Sequence, residues 1–282
     1  MTLQILFEQF LQEKQYLQNV SNKTVEFYSL SFKTFNLSTL PLTQTDLNNA
    51  IVKMRESGKS IPAVNAYLRG MRPFVNWLFE NGYLHERLKL KKIKCEEKVI
   101  RTFSDAHIRA LLSYKPQTKT EHRLLALLTL LTDTGVRIDE ALTLARSSVD
   151  FENLLLTVTG KGNKSRIVPF SVECRKVLFK HLRHSHELVF CNRHGGKLLY
   201  NNLRRDFNAL CEKLGIKGFD GSFHAFRRYF ATYAIRKNMN PFVVQRQLGH
   251  TSLTMTNRYA KLTTADLSAN HVSALQVVGG AR

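Results

Sequence analysis

Hydrophobic residues recur at helical spacing in four segments of the first 81 residues. The segments are residues 2–18, 22–36, 44–57 and 61–81. Apolar positions three and four residues apart are typical of amphipathic helices that bury one face. Ser21 and Thr43 precede two of the segments and are residue types that cap helix N-termini. The pattern therefore predicts a small, all-helical N-terminal domain.

A charged stretch, LKLKKIKCEEKVIRTF, follows the four segments and has no long apolar face. It fits an extended linker that runs along phosphates, and a merely solvated connection equally well. A chain of 282 residues is long enough for two domains with separate cores. We expect a helical domain over residues 1–88, a linker over 89–100 and a second domain over 101–282.

Helical and strand patterns are mixed from Ser104 onward. SDAHIRALLS and EHRLLALLTLLTDTGV predict helices, and the second is apolar on nearly all sides, which is typical of a central core helix. NLLLTVTG and SRIVPF predict a β-hairpin closed by GKGN. Further helices are predicted at about 171–184, 200–214, 222–237 and 241–248. The expected fold class is α+β, mainly α with a small β-sheet.

The charge of the chain indicates a polyanionic partner. Lysine and arginine number 42 against 22 acidic residues, a formal net charge of +20, and nucleic acid is the expected ligand. No apolar run approaches the roughly 20 residues needed to span a bilayer, and no signal peptide is visible. We expect a cytoplasmic, nucleoid-associated protein that does not act at a membrane.

The cysteine and histidine spacings do not predict a metal centre. The four cysteines form no CxxC pair, so we expect reduced thiols rather than a disulfide or zinc framework. The motif HLRHSH contains three histidines, but without a cysteine or acidic ligand pattern a solvated helix end is favoured over a zinc site. No metal and no cofactor are therefore expected. The histidines of this motif are His181, His184 and His186.

Two pairs of polar residues stand three positions apart. Arg137 and Glu140 lie in TGVRIDEAL, and His224 and Arg227 lie in HAFRRYFAT. Residues at this spacing share a helical face, and taken singly each pair is most often structural. Arginine nevertheless suits the nonbridging oxygens of a phosphate, because its fork donates paired hydrogen bonds and stays protonated.

Three more polar residues complete a set of groups suited to phosphoryl transfer. Lys161 lies between two glycines in GKGNKSRIVPF, a pattern that is not a Walker A loop. His250 precedes Tyr259 by nine positions in LGHTSLTMTNRY. Tyrosine can attack as a nucleophile, histidine can hold a proton and lysine can protonate a leaving alkoxide. The set contains no carboxylate cluster of the kind that holds two magnesium ions.

The order and spacing of these four motifs resemble those of the tyrosine recombinases, also called the lambda-integrase family, which cut and rejoin DNA through a 3′-phosphotyrosine. The resemblance covers the whole chain, with the N-terminal region similar to the core-binding domain and the remainder to the catalytic domain. It implies a supporting role for Glu140 and catalytic roles for Arg137, Lys161, His224, Arg227, His250 and Tyr259. We interpret Lys164 and Arg166 as phosphate contacts and Arg228 as a further DNA-binding residue. Phe226, Arg228 and Asp139 depart from the usual pattern, and none of them removes a reacting group.

The implied function is site-specific recombination through a Holliday junction, by a homotetramer on two DNA sites with inverted arms. We also expect the reaction to integrate, excise or resolve a mobile element or replicon. Accessory proteins are possible partners. The apolar tail after Tyr259 is expected to dock on a neighbouring protomer, with docking on its own domain as the alternative. Since the chain starts almost directly with the core-binding helices, its layout resembles Xer-like recombinases and cointegrate resolvases.

Two other functions compete with recombination. A type IB-like topoisomerase would share the chemistry and relax supercoils with one active protomer. An architectural DNA-binding protein would keep the fold without cleavage, and the presence of all six reacting residues argues against it.

Overall fold

The chain divides into two compact units, residues 1–98 and 99–282, so the division falls inside the predicted linker. The computed structural model describes residues 2–38, 40–96, 102–160, 164–182, 186–219 and 222–249. No helix in those ranges is long and apolar enough to cross a membrane.

The first unit is helical throughout its regular structure, which confirms the four predicted helices. A π-helical turn, Glu13–Leu17, continues the first helix. The helices are α1 (Leu3–Gln12), α2 (Asn22–Phe35), α3 (Gln44–Glu56) and α4 (Ile61–Glu80).

Aromatic side chains from three helices form the centre of this unit. Phe7 stacks on Phe32 with ring centroids 4.0 Å apart, and its ring edge meets Phe74 at 5.1 Å. Trp77 lies beside them and its Nε1 donates to Glu13 Oε2 at 2.6 Å. Offset and edge-on aromatic contacts add specificity to the apolar burial that holds the helices together.

The two predicted N-caps differ in their hydrogen bonds. Thr43 and Asp46 form a reciprocal capping box, because each side chain accepts from the other's backbone N–H. Ser21 stands at the N-cap of α2, but its hydroxyl pairs with the hydroxyl of Thr24 at 2.9 Å and makes no capping bond to the helix backbone. The neighbouring threonine hydroxyl takes the place of the expected backbone donor.

The predicted linker begins as part of the first unit. Residues 89–96 contain no helix or strand, yet Leu90 is buried in the helical core. Asn65 bonds both the N–H and the carbonyl of Ile93 at 2.9 Å, and Arg72 donates to the carbonyl of Leu90 at 2.7 Å. Residues 89–96 are thus irregular, as expected of an extended linker, but the alternative of a merely solvated connection does not hold for them, because interspersed apolar residues anchor the run to the first unit.

The second unit combines seven α-helices and a 3₁₀ turn, Arg146–Ser148, with one small sheet in the ranges that the structure describes. Strand order is β1-β2-β3, all antiparallel, so the predicted hairpin is confirmed as β2-β3. Strand β1 was not predicted, and α7 was implied only by the spacing of Arg137 and Glu140, because two and five residues carry too little periodicity. The strands are β1 (Val149–Asp150), β2 (Leu155–Thr159) and β3 (Ser165–Pro169). The helices are α5 (Asp105–Leu112), α6 (Lys119–Thr134), α7 (Ile138–Leu142), α8 (Val172–Leu182), α9 (Tyr200–Lys213), α10 (His224–Arg236) and α11 (Pro241–Leu248).

Helix α6 is the central core helix, as its pattern predicts. Buried leucines lie on most sides of this helix, which packs against α8 and α10. The helix ends at Gly135, whose φ of +65° is left-handed. A Cβ on this glycine would lie 2.6 Å from the ring of Phe230 and 2.7 Å from Leu248. Gly135 therefore ends α6 and also lets α10 and α11 approach the turn that leads into α7.

Candidate active site

Arg137 is placed by the turn after α6. It lies in extended conformation just before α7, and Glu140 lies in the first turn of that helix. The backbone N–H of Arg137 donates to Glu140 Oε2 at 2.8 Å, and its Nη1 donates to Glu140 Oε1 at 2.8 Å. The spacing of three thus reflects a helix-start contact rather than the shared helical face expected from the sequence.

Glu140 is the buried carboxylate around which the site is built. Its side chain is only 3% exposed, and Arg166 of β3 reaches it with a two-pronged contact. Nη1 and Nη2 of Arg166 donate to Oε1 and Oε2 at 2.8 Å each. Burial alone would raise the pKa of Glu140, but the hydrogen bonds and charges of Arg166 and Arg137 outweigh it and lower the pKa to about 2.

Protonating Glu140 should weaken the fold at acid pH. Its pKa lies below the ordinary 4.5, so its charge stabilises the fold above pH 4.5, and that stabilisation is lost as pH falls towards 2. Between pH 4.5 and pH 2 the free energy of unfolding should fall further in the wild type than in Glu140→Gln. The difference between the two drops should approach roughly 3 kcal/mol. Urea titrations followed by circular dichroism measure both. Parallel pH profiles for the two proteins would contradict the low pKa.

Helix α10 carries the other predicted pair, and its two members differ in burial. His224 is the first residue of α10 and is exposed. Arg227 is 6% exposed; its Nη1 donates to the carbonyl of Gly135 at 2.9 Å and its Nη2 donates to the carbonyl of Leu248. Arg227 therefore ties the end of α6 to the end of α11.

Three arginines, Arg137, Arg166 and Arg227, donate hydrogen bonds to carbonyls at the C-terminal end of α11. Arg137 donates to the carbonyls of Leu248 and Gly249 at 3.5 and 3.3 Å, and Arg227 shares the first of these. Arg166 Nε donates to the carbonyl of Gln247 at 2.8 Å. The last carbonyls of a helix lack intrahelical partners and carry partial negative charge, so guanidinium groups satisfy them well. Gly249 ends the helix with a φ of +64°, and His250 is the next residue in the chain.

The structure brings together Arg137 and Glu140 of one sequence motif and Arg227 of another. Lys164 is exposed, and its carbonyl accepts from the N–H of Gly160 at 2.9 Å across the base of the hairpin loop. Arg228 is half-buried on α10. Their DNA contacts stay predictions. Predicted positions that lie outside the described residues are Lys161, His250, Tyr259 and the apolar tail after it.

The sequence does not reveal the place of Arg166 or of the α11 carbonyls in this cluster. Arg166 was predicted to contact phosphate, whereas its guanidinium contacts Glu140 and Gln247. Its only sequence signal is its position in the same hairpin as Lys161. Main-chain carbonyls carry no residue-type signal, because every residue has one.

The thiols and the histidine motif have ordinary structural surroundings. Cys174, Cys191 and Cys211 are buried and unpaired with other cysteines, and burial raises the pKa of Cys211 to about 12. A ring nitrogen of His181 lies 2.9 Å from the carbonyl of Val189; His184 lies outside the described residues. Across the residues with described positions, no cluster of three or more histidine, cysteine or acidic residues is arranged to hold a metal ion.

The second unit thus combines an arginine cluster held by a buried carboxylate with a mainly helical fold and a three-stranded sheet, which agrees with the expected class of DNA-recombining enzymes. The model of the phage integrase family matches residues 101–266, and the chain belongs to that family. Together with its relatives, this makes it a tyrosine recombinase, a site-specific DNA recombinase by class.

A similar protein of known class is the tyrosine recombinase XerA of Pyrococcus furiosus (strain ATCC 43587 / DSM 3638 / JCM 8422 / Vc1). It is 26% identical over 258 residues, which cover 89% of this chain and 87% of that protein.

Two solved structures have the same fold across both units. The Tn1549 transposon integrase in complex with transposon right end DNA has a TM-score of 0.79 at 18% identity, and the match covers 95% of this chain and 98% of that one. The XerH site-specific recombinase bound to palindromic difH substrate, in a post-cleavage complex, has a TM-score of 0.75 at 19% identity. That match covers 93% of this chain and 82% of that one.

Proposed function

We propose that this recombinase cleaves and rejoins duplex DNA through a 3′-phosphotyrosyl link to Tyr259. The tyrosine oxygen attacks the phosphorus and gives its proton to a histidine of the reacting set, His224 or His250, while the bond from phosphorus to the 5′-oxygen breaks and that oxygen leaves with a proton supplied by Lys161. Rejoining reverses these steps at the partner strand and passes through a Holliday junction. One phosphodiester replaces another, so no ATP is consumed.

The observation that carries the proposal is the meeting of Arg137 and Arg227 at the Leu248 carbonyl, two residues before His250. Arg137 is 35% exposed in its side chain, so it is accessible to a phosphate while Glu140 holds it from behind. In the proposed reaction the accessible guanidinium of Arg137 stabilises charge that develops on nonbridging oxygens as phosphorus becomes five-coordinate. Arg227 is only 6% exposed, and its role at the same phosphate rests on the family resemblance. His224 stands at the N-terminus of α10, where a helix favours anions.

We further propose a target with inverted arms bound by a homotetramer, in the integration, excision or resolution of a mobile element or replicon. The XerH complex with a palindromic substrate supports inverted arms by similarity. The net charge of +20 supports tight, salt-dependent binding of duplex DNA.

Nicked suicide duplexes test the proposal directly. The strand break lets the short 5′ fragment diffuse away, so a covalent protein-DNA adduct accumulates and is separated in a denaturing gel. An adduct excludes an architectural DNA-binding protein. Exchange of labelled arms between two sites excludes a type IB-like topoisomerase, whereas relaxation of a plasmid without exchange would favour it.

Replacing Lys161 with alanine should abolish cleavage of ordinary DNA and spare cleavage of a substrate with sulfur at the bridging 5′ position. A thiolate is a better leaving group than an alkoxide and needs no proton from lysine. Initial rates of adduct formation on matched oxygen and sulfur duplexes measure the effect.

Lys164→Ala is the matched control, because this lysine is exposed in the same hairpin. It should weaken binding in a salt-dependent manner, with no gain on the sulfur substrate. Sulfur rescue of Lys164→Ala without rescue of Lys161→Ala would assign the proton donor to Lys164.

A further inference from the structure

The contacts of Arg166 differ from those of a residue that reads DNA phosphates. Three of its nitrogens donate into the protein: Nε to the Gln247 carbonyl, and Nη1 and Nη2 to the two oxygens of Glu140. Its side chain is 16% exposed, whereas Lys164, two residues earlier, is exposed. Most of the binding capacity of this guanidinium is therefore already used inside the domain.

We infer that Arg166 is a positioning residue, which holds Glu140, and through it Arg137, in register with the C-terminal end of α11. This inference rests on the proposed function, because it assigns Arg137 to the reacting phosphate. Arg166 connects strand β3, the start of α7 and the end of α11 through one planar group. Its guanidinium thus links strand β3, which belongs to the hairpin that contains Lys161, to the end of α11, which precedes His250 in the chain.

Close packing around the ion pair supports a role that depends on geometry. A Cβ on Gly249 would lie 3.1 Å from Cδ and Nε of Arg166, and a Cβ on Gly160 would lie 3.2 Å from Glu140 Oε1. Both contacts are tighter than most side chains tolerate, so the two glycines allow the backbone to approach the pair. The guanidinium has little space in which to shift without moving α11 or β3.

Charge alone does not explain this arrangement. A lysine at position 166 would keep the positive charge, but a single ammonium nitrogen cannot reproduce three bonds spread over a planar fork. A phosphate contact tolerates this exchange better, since lysine binds phosphate as a point charge. Arg166→Lys therefore separates the two roles, because positioning requires the fork.

The test compares Arg166→Lys, Glu140→Gln and the double variant with the wild-type full chain. DNA affinity is measured at several salt concentrations, and cleavage is measured in a single turnover on nicked suicide duplexes at saturating protein. Arg166→Lys should bind with wild-type affinity and salt dependence, yet cleave about 10²-fold more slowly, as misplacing a catalytic group by about an ångström does. The double variant should be hardly slower than either single variant, because both remove the same support.

Two further measurements keep the outcome clear. Arg166→Gln removes the charge and retains an amide donor. Because a positioning residue does not contact the DNA phosphates, the salt dependence of binding in this variant should match the wild type. The variant also replaces Arg166→Lys in the test if circular dichroism shows that Arg166→Lys does not fold. The sulfur-bridged substrate should rescue neither variant, because the defect lies at Arg137 rather than at the leaving group.

Specific results would overturn the inference. These are cleavage by Arg166→Lys within about threefold of wild type, a salt slope of binding lowered by about one in Arg166→Gln, or sulfur rescue. Absence of any covalent adduct with the wild-type protein would instead reject the proposed function itself.

Discussion

Tyr259→Phe should bind its DNA site as tightly as the wild type and form no covalent complex. The substitution removes only the phenolic oxygen, which is the attacking atom in the proposed reaction, and keeps the ring. Adduct formation on a nicked suicide duplex should fall below detection, while gel-shift affinity stays unchanged. This is the largest effect that we expect from any single atom of the protein.

The outcome that would remove Tyr259 from its role is equally clear. A phosphotyrosyl adduct that persists in Tyr259→Phe would require another nucleophile, and peptide mapping of the adduct would identify it. Tyr233→Phe is a suitable control, because this tyrosine is partly exposed on α10 and stacks on Tyr229. It should form the adduct at the wild-type rate.

Arg137→Ala should slow cleavage far more than it weakens DNA binding. Removing one preorganised donor to a developing negative charge typically costs about 3 to 4 kcal/mol, or roughly 10² to 10³ in rate. Glu140 keeps both of its bonds to Arg166 in this variant, so the carboxylate is still neutralised and the fold should persist. Single-turnover cleavage at saturating protein, compared with the dissociation constant, separates the two effects.

Arg227→Ala is a less direct test of the same idea. Arg227 is buried and donates to the carbonyls of Gly135 and Leu248. Its removal takes a donor from the Gly135 carbonyl and leaves Leu248 with only the longer bond from Arg137, and a buried carbonyl left unpaired costs about 1 to 3 kcal/mol. Its loss should therefore lower stability as well as rate, whereas the loss of Arg137 should act mainly on rate. If Arg137→Ala cleaved at normal speed and only increased the salt sensitivity of binding, Arg137 would be a phosphate anchor.

Regular secondary structure was largely predictable from the periodicity of the chain. Helices α1 to α4 and the strands β2 and β3 follow from apolar spacing, because each buries one face for which that spacing is required. Segment 89–96 was harder to interpret, because its alternating lysines obscure Leu90, and only the packed helical unit shows that this leucine is buried.

The sequence by itself determined the residue types and the order of the reacting groups. Arginine, histidine, lysine and tyrosine in this order predict phosphoryl transfer, because the chemistry of a side chain can be read from its residue type. The family resemblance rests on that order, and the match of residues 101–266 to the phage integrase family agrees with it.

Tertiary structure alone decided how the arginines and Glu140 are held. Arg137 and Gly249 are 112 positions apart in the chain, yet one donates to the other, and no local pattern encodes that contact. The pairing of Arg166 with Glu140 is also a contact between distant positions, 26 residues apart in the chain. A charged side chain pairs with whichever group folding places beside it, and a buried carboxylate must be paired because water no longer solvates it.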